Sequence, residues 1–415
     1  MIEFAAGVAR AGRNQGRNLL NLLRGRPVVT PSFASMTLDE DDVAVAREWL
    51  GERSRWSEED IVRRFESTFA RWNGSQHAFA FDSGRTALSA CINALGLSHG
   101  DEVIIPGYTC VAVPNAFRFE GVTVIYSDIE LETFGLDVSV LEQKLTRRTR
   151  AILLHHLYGL VCRDYLAIIE LARRNGLAVI EDCAHATGAE FQHTKVGNLG
   201  DVAIFSSEHS KVFNTIQGGV AVSNREDLAA RLKAYQDRSA WPDAAVIHRQ
   251  LMTVLLNFYR YKHPTRWLLG DVTELRYGKH QIPAITPEEE QGVRPPGYGC
   301  RMPAPLAALG TNQLSKIDHY NATRRENAAQ WDTWCRRHGY QPSLVVPGSE
   351  PVYLRYPVLV EPEKKRSTAW AVKEAGVQLG VWFVSHVHPI PERVQGCPRA
   401  DEAVERCVNF PTILQ

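Results

Sequence analysis

Between residues 77 and 224 the chain alternates short apolar runs with helical patterns, and this alternation constrains the fold more than any other feature. HAFAF (77–81), EVIIP (102–106), VTVIYSD (122–128), RAILLHH (150–156), LAVIED (177–182), VAIFSS (202–207) and GGVAVSN (218–224) read as strands. TALSACINALGL (86–97) and the stretch around DYLAIIELARRNG (164–176) read as helices between them. That spacing predicts an α/β fold, a mostly parallel sheet with helices on its faces. Ligands of such sheets bind beyond the carboxyl ends of the strands. Asp182, Ser206 and Ser207 each stand where a predicted strand runs out, so they are expected to converge on one crevice.

The rhythm breaks over 240–296, where LMTVLLNFYRYKHPTRWLLG (251–270) is an apolar and aromatic helix candidate followed by a Pro-rich stretch. Packing is the common reason for Arg260, Lys262 and Arg266 to stand among aromatics. Beyond Gly299, helices over 303–339 precede the strand VYLRYPVLV, a helix near 366–376 and the segment LGVWFVSHVHP. A chain of 415 residues exceeds one ordinary core, so two domains are expected. The predicted division is an N-terminal extension (1–37), a large domain (38–240), a helical insertion and connector (241–298) and a small C-terminal α/β domain (299–415).

Lys plus Arg equal Asp plus Glu at 47 each, so no global charge favours nucleic acid or an anionic membrane. Eight cysteines form no C-x-x-C pair, and several sit in apolar runs, as buried thiols of a reduced cytoplasmic protein do. No apolar stretch reaches membrane-spanning length, and no signal-peptide pattern opens the chain. Arg10, Arg13, Arg17, Arg24 and Arg26 interleave with leucines. Such a basic amphipathic segment suits packing on the protein or a partner subunit, with a membrane surface as the minor reading.

Three segments carry chemistry. DSGRTAL (82–88) turns a strand into a helix whose unpaired N–H groups suit an anion, with Gly84 allowing the sharp turn and Arg85 adding charge. In VIEDCAHATGAE (179–190), Asp182 at a strand end can hold a protonated heterocyclic nitrogen, and helix capping is the competing reading. In FSSEHSKVFNTIQGGVAVSN (205–224), Lys211 follows both, and a crowded lysine is the better amine nucleophile. Gly218 and Gly219 permit close approach of backbone.

The order of SGRTAL, GDEVIIPGYTCVA, HHLYG, VIEDCAHATGA, VGNLGDVAIFSSEHSK with its Gly-Gly, and YGCRMPAPLAALGTNQL resembles the DegT/StrS-type sugar aminotransferases. The likeness covers about residues 38 to 410. It implies the fold type I architecture of pyridoxal phosphate (PLP) enzymes, with the cofactor in the large domain. Lys211 then corresponds to the lysine that forms the Schiff base, and Asp182 to the acid that pairs with the pyridine nitrogen. His185 stands where the family has a Gln or His near the phenolic oxygen, and Gly84, Arg85 and Ser206 stand around the phosphate. Arg301 belongs to a segment that reaches the neighbouring subunit's site, which implies a homodimer with shared active sites.

The sequence departs from the family at four places. Cys110 occupies the position of an aromatic that stacks on the cofactor, with Tyr108 or another ring as the replacement. Gly299 stands for an Asn, Gln217 precedes the Gly-Gly, and 240–296 is long enough to shape the substrate pocket. His156 is expected to line the cofactor pocket and His388 to meet substrate, whereas His155 and His386 also read as packing residues. No His pair has the company of a metal site, so none is expected. The implied activity moves an amino group from an amino acid, glutamate, to a keto-sugar or keto-cyclitol. A PLP-dependent deoxysugar dehydratase, in which His replaces the lysine, and a catalytically silent member are the alternatives.

Overall fold

The structure, a computed structural model, describes residues 36–262 and 282–414. The basic N-terminal extension therefore lies outside the described residues, as does Arg266. The seven predicted strands form one sheet: β1 (His77–Phe81), β2 (Glu102–Pro106), β3 (Thr123–Ser127), β4 (Thr149–His155), β5 (Ala178–Asp182), β6 (Val202–Ser206) and β7 (Gly219–Ser223). Their order is β1-β7-β6-β5-β4-β2-β3. Only β7 runs against the others, pairing antiparallel with β1 and β6. The sheet is mostly parallel, and the carboxyl ends of six strands share one edge.

Helices cover both faces because the central strands are apolar on both. On one face Leu88, Cys91 and Ile92 of the helix Gly84–Ala94 pack with Val103, Leu153 and Ile180. On the other, Phe65 and Phe69 of Glu59–Asn73 and Ile168 of Tyr165–Asn175 pack with Ile152 and Phe205. The predicted helix at 86–97 begins two residues earlier, since Ser83 caps it by accepting the Thr86 N–H at 3.3 Å.

The insertion contains the helix Ala244–Tyr261, whose Ile247, Leu251 and Val254 pack on Trp49, Trp56 and Leu309. Helix Ala304–Leu314 joins the same cores, with Leu306 and Ala307 against the sheet-side cluster. The long helix Ile317–His338 starts on that cluster at Ile317 and ends at Trp331 and Cys335, in a separate cluster with Tyr356 and Phe410. There β8 (Tyr356–Leu359) pairs antiparallel with β9 (Cys407–Phe410).

Two C-terminal expectations need correction. The strand over 352–360 shrinks to β8, because Val352 and Arg355 donate instead to the carbonyls of Gly159 and Tyr158, at 3.0 and 3.3 Å. A Cβ on Gly159 would lie 2.7 Å from the Leu354 nitrogen, so only glycine permits this approach. The helix near 366–376 is two short ones, Pro362–Arg366 and Trp370–Glu374, since Ser367 leaves helical geometry at φ −138° and ψ 95°. Among the described residues no helix is long and apolar enough to cross a membrane.

Candidate active site

A cavity of about 320 Å³ opens at the carboxyl edge of the sheet. Asp182 enters it from the end of β5, Ser206 from the end of β6, and Gly84 from the helix that follows β1. Lys211 enters from the loop between β6 and β7, and Cys110 from the loop after β2. The topology thus gathers most of the predicted residues into one chamber.

Its centre is a lysine–histidine pair, with Lys211 Nζ 3.0 Å from His185 Nε2. The Tyr158 N–H reaches His185 Nδ1 at 3.3 Å, and Tyr158 holds a left-handed φ of 58° to present it. Burial first, then Lys211 and Arg355, keep the His185 pKa well below its ordinary value, so the ring is neutral. With Nδ1 accepting, the ring proton sits on Nε2 and donates to Lys211. Burial likewise lowers the Lys211 pKa, against the pull of Glu208, Cys110 and Asp182.

Asp182 Oδ1 accepts the Ala184 N–H at 3.0 Å, which orients the carboxylate. Burial raises its pKa, opposed by that hydrogen bond and by Lys211 and His156. A cation seated against this carboxylate would relieve the penalty. Glu208 also faces the cavity. Against burial, His209, Lys211 and Ser210 hold it down at about 2.

Several expected residues do something else. The Arg85 guanidinium pairs with the buried Glu289 and with the Ala284 carbonyl at the cavity wall. His156 lines the cavity, yet its Nδ1 accepts the Cys162 N–H at 3.1 Å and its Nε2 meets Glu181 at 3.3 Å. No ring nitrogen remains for substrate. Ser207 Oγ turns to Thr215 Oγ1 at 2.6 Å and does not line the chamber. Arg301 is drawn off to Glu59 at 2.8 Å and to the Ser239 carbonyl at 3.0 Å, outside the cavity. Tyr108 is no replacement for an aromatic at 110: it is fully buried, with its hydroxyl 3.0 Å from that of Tyr158.

The C-terminal segment closes the chamber. Val387–His388 pairs in parallel with Thr109–Cys110 and brings Trp382, Phe383 and His388 to the cavity wall. His388 stacks on Phe383 with centroids 5.1 Å apart, and burial, with Lys211, Arg355 and Lys365, lowers its pKa to about 4. His155 lines the chamber but is bound to the Phe134 carbonyl at 2.7 Å, and His386 packs outside it, bound to Asp401 at 2.9 Å. Connector residues Ala284, Ile285 and Glu290 form another wall, so the 240–296 stretch does shape the pocket.

A model of the DegT/DnrJ/EryC1/StrS aminotransferase family matches residues 37–415. The chain belongs to this family. It is 32% identical over 302 residues to the GDP-perosamine synthase of Escherichia coli O157:H7, covering 73% of this chain and 69% of that protein. It is 32% identical over 292 residues to the L-glutamine:2-deoxy-scyllo-inosose aminotransferase of Streptoalloteichus tenebrarius, 70% of this chain and 60% of the relative. The aminotransferase structure from Psychrobacter cryohalolentis superposes with a TM-score of 0.69 at 25% identity, covering 93% and 94% of the two chains. The protein is a PLP-dependent aminotransferase of fold type I.

The residues present fit that cofactor. The chamber offers a buried lysine whose pKa is lowered, a carboxylate under a desolvation penalty and a helix start with capped geometry. Gly84 keeps the helix start open: a Cβ there would lie 3.0 Å from Ser206 Cβ and 3.2 Å from its Oγ. Gly219 lets β7 pass beneath, since its Cβ would meet the Ser83 oxygen at 2.4 Å. Glu208, Trp382 and Arg355 escaped the sequence reading. Glu208 stands in the FSSEHSK run beside Lys211 and carried a signal; no local pattern marks Trp382 or Arg355.

Proposed function

We propose that this enzyme moves an amino group from an amino acid, glutamate, to the carbonyl carbon of a keto-sugar or keto-cyclitol. One water supplies the oxygen of the donor's 2-oxo acid, and the acceptor's oxygen leaves as water, so no net water is consumed or formed. The observation that carries this reading is the buried Lys211 amine, 3.0 Å from His185 Nε2 in one cavity with Asp182. Both relatives named above carry sugar-like or cyclitol products and substrates in their names, which supports a polyhydroxylated ring as acceptor.

PLP supplies a conjugated ring that draws electrons from the substrate carbon. Lys211 would hold it covalently and then carry a proton to and from that carbon at Nζ. Asp182 would keep the pyridine nitrogen protonated, and His185 Nε2–H would donate to the phenolic oxygen. Backbone N–H groups at Gly84 and Arg85, with Ser206, would receive the phosphate. His388, on the cavity wall, would meet the substrate. A dehydratase is disfavoured because that branch replaces the lysine, and a silent protein because Lys211, His185 and Asp182 remain assembled. The reading includes a cytoplasmic homodimer with sites completed across its interface.

The test is a screen of keto-sugars and keto-cyclitols with glutamate or glutamine, read by product mass. A product with nitrogen in place of the carbonyl oxygen is expected. Loss of water from a deoxysugar without nitrogen gain would establish the dehydratase instead. Sedimentation of the active enzyme as a monomer would overturn the shared sites.

A further inference from the structure

We propose that Trp382 is the aromatic platform of this active site, supplied by the C-terminal segment where the loop after β2 offers only Cys110. The inference rests on the PLP site argued above and concerns one residue in it. The His185 and Trp382 rings are stacked, 5.0 Å between centroids and only 8° from parallel. Lys211 Nζ lies 4.7 Å from the Trp382 centroid and 3.0 Å from His185 Nε2. His185 and the lysine amine thus occupy one layer, and the indole occupies the next.

A flat conjugated group held at Nζ and hydrogen-bonded to His185 Nε2 belongs in that first layer, because such bonds favour the acceptor's plane. The indole then lies beneath it, nearly parallel. Offset stacking of this kind is favourable for electron-poor rings on a large aromatic face. Tyr108 is excluded by its burial, and the Cys110 thiol is too small to cover a ring.

The platform is rigid before any ligand arrives. Asn409 Oδ1 accepts the backbone N–H of Trp382 at 2.8 Å, and the Tyr158 hydroxyl donates to the Trp382 backbone carbonyl. The Arg355 guanidinium sits 3.7 Å from the indole centroid. Tyr158 therefore fixes both layers, His185 through its N–H and Trp382 through its hydroxyl.

The experiment measures PLP dissociation constants of the apoprotein by equilibrium dialysis for wild type, Trp382→Leu and Trp382→Phe, with thermal unfolding of each apoprotein alongside. The leucine variant should bind PLP roughly 3- to 10-fold more weakly, and phenylalanine should restore most of the affinity. Cofactor quenching of tryptophan emission gives a second readout that needs only the phenylalanine variant. The chain has nine tryptophans, and the indole in contact should be the most strongly quenched. Equal affinity in all three proteins, or equal quenching in wild type and Trp382→Phe, would overturn the proposal. Wild type that binds no PLP at all would instead overturn the site itself.

Discussion

Gly84→Ala tests the phosphate end of the cavity at the cost of one methyl group. Gly84 is the first residue of the helix Gly84–Ala94, where alanine is the better helix former by roughly 0.5–1 kcal/mol. The new Cβ would sit 3.0 Å from Ser206 Cβ and 3.2 Å from Ser206 Oγ. Ser206 ends β6 and cannot retreat without moving the strand, so crowding of about 1–3 kcal/mol is expected. The two effects leave apoprotein stability within about 2 kcal/mol of wild type. Cofactor affinity has no such offset, because the methyl narrows the space between the helix start and Ser206. Weakening of roughly fivefold to a hundredfold follows from 1–3 kcal/mol. Dialysis of the apoprotein against PLP measures it. Gly51→Ala is the control: it lies at a helix end with nothing within 4 Å, and should gain about 0.4–1 kcal/mol without touching affinity. If Gly84→Ala binds PLP as tightly as wild type, the cradle lies elsewhere.

Lys211→Met should lose the borohydride-trapped link to PLP while its apoprotein gains stability at neutral pH, because burial lowers the folded-state pKa below 10.5. The unfolded chain then binds the extra proton between the two pKa values, so wild-type stability climbs with pH and the gap closes above 10.5; an unchanged gap across a pH series of denaturant melts would contradict a desolvated amine. Asp182→Asn should retain cofactor yet lose turnover by roughly a hundredfold or more, since an amide cannot hold the ring nitrogen protonated; single-turnover rates near wild type would remove that role. Glu181→Gln should cost about 3 kcal/mol or more of stability, because the carboxylate accepts from Gly197 and Tyr165 at 2.7 and 2.5 Å on one oxygen and from Leu199 and Gly200 at 2.9 and 2.5 Å on the other. Urea denaturation that shows no loss would mean that these donors find other partners.

What the sequence determined by itself was the order of strands and helices and which groups meet at the carboxyl edge of the sheet. Alternation of apolar runs is local information, and seven strands emerge where seven runs stand. Asp182, Ser206 and Lys211 were legible because parallel topology sends strand ends to one edge, whatever the details of packing. Tertiary structure decided which charges and rings remain available there. Arg85 reads as a free charge at a helix start, and the fold pairs it with Glu289, 204 residues away. His156 looks like a pocket ligand until Glu181, the inward neighbour of Asp182, claims its ring. Trp382 reaches the cavity because Val387–His388 pairs with Thr109–Cys110, and Arg355 comes to lie on its ring because Tyr158 and Gly159 bind the 352–355 stretch. Such pairings depend on distance through space, which local periodicity does not encode. The chemistry of the site is therefore written in short motifs, and its walls are set by contacts between the ends of the chain.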